Sequence, residues 1–192
     1  MLCNVSLNVH SSAISGLAQG QQQRGQDDAL PAFRASDSVC APVLFLDFDG
    51  VTHPESCWSD QYFCHVDKIA GVLDLYPQVD VVISSSWRIH YPLDELKGFV
   101  SAIAPHKIVG VTPNIKTPSD DWLPGAFSLS ERQWEIETWL KAHRPWGTPW
   151  IAIDDRAVWF DEGCRNLLLT ERTTGFTKAD AERLQTMIEE RL

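Results

Sequence analysis

No apolar run in this chain of 192 residues is long enough to cross a bilayer, which takes about 20 mostly apolar residues. A transmembrane anchor is therefore not expected. Met1 to Gly20 lacks both a basic n-region and a sustained apolar h-region, so no signal peptide is read there. There is no C-x-x-C pair. The five cysteines, Cys3, Cys40, Cys57, Cys64 and Cys164, are odd in number and scattered, a usage that suits reduced thiols in a cytoplasmic compartment. Positive charge is scarce as well: 16 Lys and Arg stand against 26 Asp and Glu, a formal net charge of -10. That balance, with a sequence pI near 4.9, argues against broad attraction to a nucleic-acid backbone but leaves open a local basic groove or a small phosphorylated substrate. No internal repeat is visible.

What is present describes an α/β domain behind a polar leader. The length fits one domain, and 44% hydrophobic with 22% charged residues can build a substantial core. Residues 1–41 are rich in Ser, Gln, Gly and Asp and show neither helical nor strand periodicity, so they are expected to be a disordered tail. A competing reading has Val5 to Leu17 folding onto a partner or serving as an address. From residue 42 the pattern alternates between strand and helix, which predicts a central, mostly parallel sheet with helices on both faces. Strands are expected over Val43–Asp47, Val79–Ser84, Lys107–Val111, Trp150–Asp154 and Asn166–Thr170, and helices over Val66–Tyr76, Leu93–Ala104, Ser130–His143 and Lys178–Leu192. Thr177 with Asp180 three residues on reads as an acidic capping box.

Open parallel sheets bind ligands beyond the carboxyl ends of their strands. The polar residues at those ends are Asp47 and Asp49, Ser84 to Ser86, Thr112, and Asp154 with Asp155. Asp47 and Asp49 end the apolar run Val43-Leu44-Phe45-Leu46 and, being two apart, project together. Two carboxylates that close are costly without a cation, which points to hard-cation chemistry such as Mg²⁺ binding. Gly50 lets the backbone turn and approach a ligand.

Taken in order, Asp47-Phe48-Asp49, then Ser84 after Val81-Val82-Ile83, then Arg132 on a helix, then Asp154-Asp155 after a strand, the chain resembles the haloacid dehalogenase (HAD) superfamily. The resemblance implies a Rossmann-like fold and a Mg²⁺-dependent phosphohydrolase working through an aspartyl-phosphate. In it Asp47 is the nucleophile, Asp49 the acid and base, and Ser84 and Arg132 hold the phosphoryl oxygens. The metal lies among Asp47, the backbone carbonyl of Asp49, and Asp154 or Asp155. Ser85 replaces Ser84 if the strand runs one residue further. The Arg132 assignment has a check of its own, because a helical wheel places it within about 40° of Ile136, Trp139 and His143, at the centre of the apolar stripe, where a cation needs an anion. The alternative is an ordinary pairing with Glu135, and Lys141, Arg144 and Lys107 are the substitutes for its role.

Cap insertions set specificity in that superfamily, and here the two intervals, Thr52–His65 and Pro113–Leu129, are too short for an independent domain. A minimal cap or none is expected, which suits a macromolecular chain end. The strings Phe45-Leu46-Asp47-Phe48-Asp49-Gly50-Val51, Val82-Ile83-Ser84-Ser85-Ser86-Trp87-Arg88 and Gly175-Phe176-Thr177 are similar to the HAD domains of Swiss Army Knife RNA repair proteins. This narrower resemblance implies action on nucleic-acid ends. A small-molecule or nucleotide phosphatase and an inactive binding module remain the alternatives. Trp58, Trp87 and Trp122 fall near the expected site and could stack on a base, although packing is the preferred role, and Trp134 and Trp139 are core or interface candidates. Arg88 is expected either to contact phosphate or to pair with an acidic residue. His53 either touches substrate or is a solvated loop residue. The spacing of His53, Cys57, Cys64 and His65 matches no closed zinc pattern.

Overall fold

The computed structural model describes residues 40–115 and 130–192. Most of the expected tail, Trp122 and most of the second interval lie outside them. Five strands form one sheet: β1 (Val43–Leu46), β2 (Asp80–Ile83), β3 (Ile108–Val111), β4 (Trp150–Asp154) and β5 (Leu167–Leu169), in the order β3-β2-β1-β4-β5. All four pairings are parallel. The helices are α1 (Val66–Leu75), α2 (Leu93–Phe99), α3 (Glu131–His143) and α4 (Lys178–Glu189).

The alternation of side chains along β1 divides the core. Leu44 and Leu46 join Ile69 and Leu73 of α1, Leu96 of α2 and Leu184 and Ile188 of α4 on one face. Val43 and Phe45 meet Ile136 and Trp139 of α3 on the other. Every residue of β1 is buried, as the continuous apolar run requires, and each such side chain contributes about 1.5–3 kcal/mol. Phe45 meets Trp139 edge-on at 5.7 Å.

The expected elements all form, with one clear difference. The helix expected to reach Ala104 ends at Phe99, after Gly98, and Val100 leaves helical geometry at ψ 38°. Val100 and Ile103 are still buried, so their apolar spacing belongs to a packed turn rather than to a continued helix. The capping box of α4 forms as expected: Thr177 Oγ1 accepts from the Asp180 N–H at 3.3 Å, and Asp180 accepts from the Thr177 N–H at 2.9 Å. No helix among the described residues is long and apolar enough to cross a membrane.

Candidate active site

The sheet register assembles the site. Leu46 lies beside Ile83 of β2 and Ile153 of β4, so the next residue of each strand, Ser84, Asp47 and Asp154, ends up side by side. The Asp47 N–H donates to Ile153 O at 3.1 Å and the Ser84 N–H to Leu46 O at 2.9 Å, which extends the ladder to this level. Asp47, Asp154 and Asp155 are all buried, and their carboxylate oxygens come within 4.8 Å of one another. Gly50, at φ +69°, makes this possible: a Cβ there would sit 2.6 Å from Asp155 Oδ2.

Arg132 reaches into this cluster from the first turn of α3. It donates to the Ser84 carbonyl, and its Nη1 lies 3.5 Å from Asp47 Oδ1 and 3.7 Å from Asp154 Oδ2. Glu135 is further, at 3.9 Å. The wheel argument holds for Arg132, Ile136 and Trp139, which are buried, whereas His143 is exposed and stacks on Trp139 at 4.5 Å. Burial works against the Arg132 charge, but Asp47, Asp154 and Glu135 outweigh it and raise its pKa. Lys141 is 59% exposed and pairs with Glu137, and Lys107 donates to Tyr76 O at 3.0 Å.

Arg132 faces Asp47 and Asp154, while Asp155 Oδ2 lies 3.1 Å from Arg172 Nε and 3.6 Å from Arg156 Nε. Burial first, and the Asp47 charge second, push the Asp154 carboxyl well above the usual range and raise Asp155 as well. Asp154 Oδ2 is buried with no hydrogen-bond partner, and Asp155 Oδ2 is buried with ion-pair contacts alone, to Arg172 and Arg156. Such an orphaned oxygen needs an explanation, and a donor set made only of oxygen fits a hard divalent cation such as Mg²⁺. The pocket above them, about 290 Å³, is lined by Asp47, Asp49, Glu55, Ser86, Arg132, Asp155, Arg156 and Trp159.

A family model for the HAD domain in Swiss Army Knife RNA repair proteins matches residues 43–181. The chain belongs to this HAD family. Neither the curated proteins nor the solved structures contain a significant match. HAD membership supports phosphohydrolase chemistry of the HAD type, and the four sequence motifs fall within the matched span.

Within this HAD domain the second aspartate is separated from the cluster. Asp49 keeps 41% of its side chain exposed, with Oδ1 3.2 Å from His53 Nε2 and Oδ2 accepting from Trp87 Nε1 at 2.9 Å. The His53 contact is the main cause of a lowered Asp49 pKa; burial opposes it and Trp87 adds to it. His53 is not a solvated loop residue, since it is fully buried. Trp87 is both a packing residue and a donor, while Trp58 is 82% exposed. His65 directs Nε2 at Thr174 O and Nδ1 at Lys68, both at 2.8 Å.

Arg88 shows the paired geometry. It bridges to Glu135 and donates to the carbonyls of Thr112, Ser84, Ser85 and Pro113 at 2.8–3.3 Å. Burial lowers the pKa of Arg88 and raises that of Glu135, while their contact opposes both shifts. Ser85 Oγ accepts from the Trp87 N–H at 3.4 Å; Ser86 is the serine that lines the pocket. Glu55, Arg156, Arg172 and Trp159 were not foreseen. Glu55 holds Arg156 at 2.5 Å and also bonds Arg172, and the Trp159 ring lies 4.9 Å from the Arg132 guanidinium and 5.3 Å from that of Arg156. Glu55 is over 100 residues from either arginine, so no local spacing could signal the network. Only the position of Arg156 and Trp159 just after Asp154-Asp155 gave a hint.

Proposed function

We propose that residues 42–192 act as a Mg²⁺-dependent phosphohydrolase on phosphorylated nucleic-acid ends, working through a phosphorylated Asp47. The observation that carries this reading is the buried trio Asp47, Asp154 and Asp155 within 4.8 Å, with Asp49 at the same pocket. Asp47 attacks phosphorus, and its O–P bond forms as the bond to the leaving oxygen breaks. Asp49 gives a proton to that oxygen, then takes one from the water that attacks the acyl phosphate and frees Asp47. Arg132 holds the developing negative charge, and Ser84, directly after β2, supplies a polar contact beside it. Arg88 supports this strand end through its carbonyl bonds and keeps Glu135 next to Arg132. The Asp47, Asp154 and Asp155 carboxylates, with the Asp49 backbone carbonyl, would hold Mg²⁺, which when bound supplies charge neutralisation at the phosphoryl oxygens.

Two features support a chain end as substrate. The matching family is described by RNA repair, and the interval after Asp49 contains a single 3-10 turn, Ser59–Gln61, in place of a cap domain. Exposed Trp58 and Tyr62 in that interval could take a base. The net charge of -10 favours a second reading, a nucleotide or other small ester. A panel of 5′- and 3′-phosphorylated oligonucleotides, nucleotides, sugar phosphates and an aryl phosphate, assayed for phosphate release with Mg²⁺, separates them. Oligonucleotide ends are expected to give the highest kcat/KM. Preference for a small ester would overturn the substrate assignment, and no release from any of them would leave a binding module.

A further inference from the structure

We propose that His53 and Trp87 are positioning residues that clamp the Asp49 carboxylate toward the leaving group. The inference rests on the phosphohydrolase reading above and adds to it two side chains that do not touch phosphorus. A carboxylate that first gives and then takes a proton must present the same oxygen lone pair twice, so its rotation has to be stopped by something other than substrate. Asp49 lies at a pocket mouth with 41% of its side chain exposed, where an aspartate ordinarily turns freely.

Here each oxygen has its own ring donor. His53 Nε2 is 3.2 Å from Oδ1, and Trp87 Nε1 donates to Oδ2 at 2.9 Å. Both rings are themselves fixed. His53 is fully buried, 4.8 Å from the Tyr62 ring and 5.2 Å from that of Phe63. Trp87 packs against Phe48, Phe63, Tyr91 and Phe99 at centroid distances of 5.3–6.0 Å.

The histidine's donor edge is also set. An ionised carboxylate only accepts, so Nε2 carries the proton facing Asp49. Nδ1 faces the Phe63 N–H at 3.4 Å and Thr52 Oγ1 at 3.0 Å, a hydroxyl that itself donates to the Phe48 carbonyl. Phe63 holds this N–H in place from a left-handed backbone, φ +62°, which is uncommon for a bulky residue. Two N–H donors use one lone pair on each carboxylate oxygen and leave another for the mobile proton. Asp49 enters the first step carrying a proton taken up from solvent; that proton passes to the leaving oxygen as its bond to phosphorus breaks, and the electron pair left on Asp49 is held by the two donors. In the second step a water proton returns to Asp49 as the water oxygen bonds to phosphorus and the Asp47 O–P bond breaks.

The test compares the full chain with His53→Ala, His53→Gln and Trp87→Phe, with Mg²⁺, on phosphate monoesters graded from a 2,4-dinitrophenyl ester to an alkyl ester. A very acidic leaving group needs little help from an acid, and an alcohol needs the most. His53→Ala should lower kcat about 100-fold on the alkyl ester but less than about threefold on the dinitrophenyl ester, with KM within about threefold. Gln can offer an amide N–H in place of Nε2–H and should recover about tenfold of the loss. Trp87→Phe keeps a packed ring without the donor and should show the same trend at about tenfold. An equal loss across the series, a change in KM alone, or a glutamine variant no better than alanine at matched melting temperature would overturn the clamp. If His53→Ala does not fold, wild-type kcat for Trp87→Phe on the alkyl ester overturns it. A parent protein that hydrolyses none of these esters refutes instead the phosphohydrolase reading on which the clamp stands.

Discussion

Two clefts among the described residues lie at opposite ends of the parallel sheet, and the larger of the two is the less informative. The larger, about 460 Å³, lies at the amino end of β4 and is lined by Leu140, Lys141, Arg144, Pro145, Trp146 and Trp150 among others. The smaller, about 290 Å³, lies at the carboxyl ends of β1 and β4. In the first, charges are settled: Arg144 pairs with Asp80 at 2.5 Å, and Lys141 with Glu137 at 4.0 Å, all partly exposed. In the second, three buried carboxylates crowd together, Asp154 Oδ2 has no hydrogen-bond partner, and the neighbouring guanidinia leave the Asp154 and Asp155 pKa values raised. Unresolved charge in a concave site marks chemistry better than volume does.

That contrast can be broken most directly at Asp47. Asp47→Asn is nearly isosteric and should reduce phosphate release by at least about 1000-fold without lowering the melting temperature. Parent-like turnover in this variant would remove the mechanism. Arg132→Ala should follow, with kcat/KM down about 100-fold and stability down about 3–5 kcal/mol, because buried Asp47 and Asp154 lose the one guanidinium that pairs with them among the described residues. Urea denaturation and steady-state rates measure the two effects separately.

A third prediction concerns pH. The Asp154 and Asp155 pKa values are raised in the fold, so between their ordinary and raised values the metal-free native state binds more protons than the unfolded chain. Their contribution to stability is therefore greatest below the ordinary carboxylate pKa and falls as pH rises through the raised values. Mg²⁺ needs the ionised forms, so its effect must run the other way: the rise in melting temperature on adding Mg²⁺ should grow with pH across the same window. Saturation at one hundred times Kd adds about 2.7 kcal/mol. Asp154→Asn should flatten the trend, and a Mg²⁺ effect independent of pH in the parent protein would separate the ion from these carboxylates. The smallest effect is expected in the other cleft. Trp146, 93% exposed, should tolerate Trp146→Ala with turnover within about twofold and stability within about 0.5 kcal/mol.

The sheet was legible because a buried parallel strand is spelled as an unbroken apolar run, and β1 to β5 each fall within the stretches expected from such runs. The carboxylate cluster was legible for the same reason, since its members sit at the ends of those runs. The order of the motifs pointed to Arg132, and the helical period made its inward placement legible. Relations that depend on which loops meet across the sheet top could not be read. Nothing local to His53 distinguishes a buried ring bonded to Asp49 from an exposed loop histidine. Arg88 looked available for phosphate because its partners, Glu135 and the Thr112 and Pro113 carbonyls, arrive from distant elements. The early end of α2 was hidden by Val100 and Ile103, whose apolar spacing imitates a helix while packing as a turn.

The level ending of β2, β1 and β4 has a consequence for how this chain can change. Strand length here acts as a ruler: removing one residue from β2 would draw Ser84 back by about 3.3 Å and turn its neighbours toward the opposite layer. Insertions and deletions are therefore confined to the connecting loops, where new recognition can be tried without moving the reacting groups.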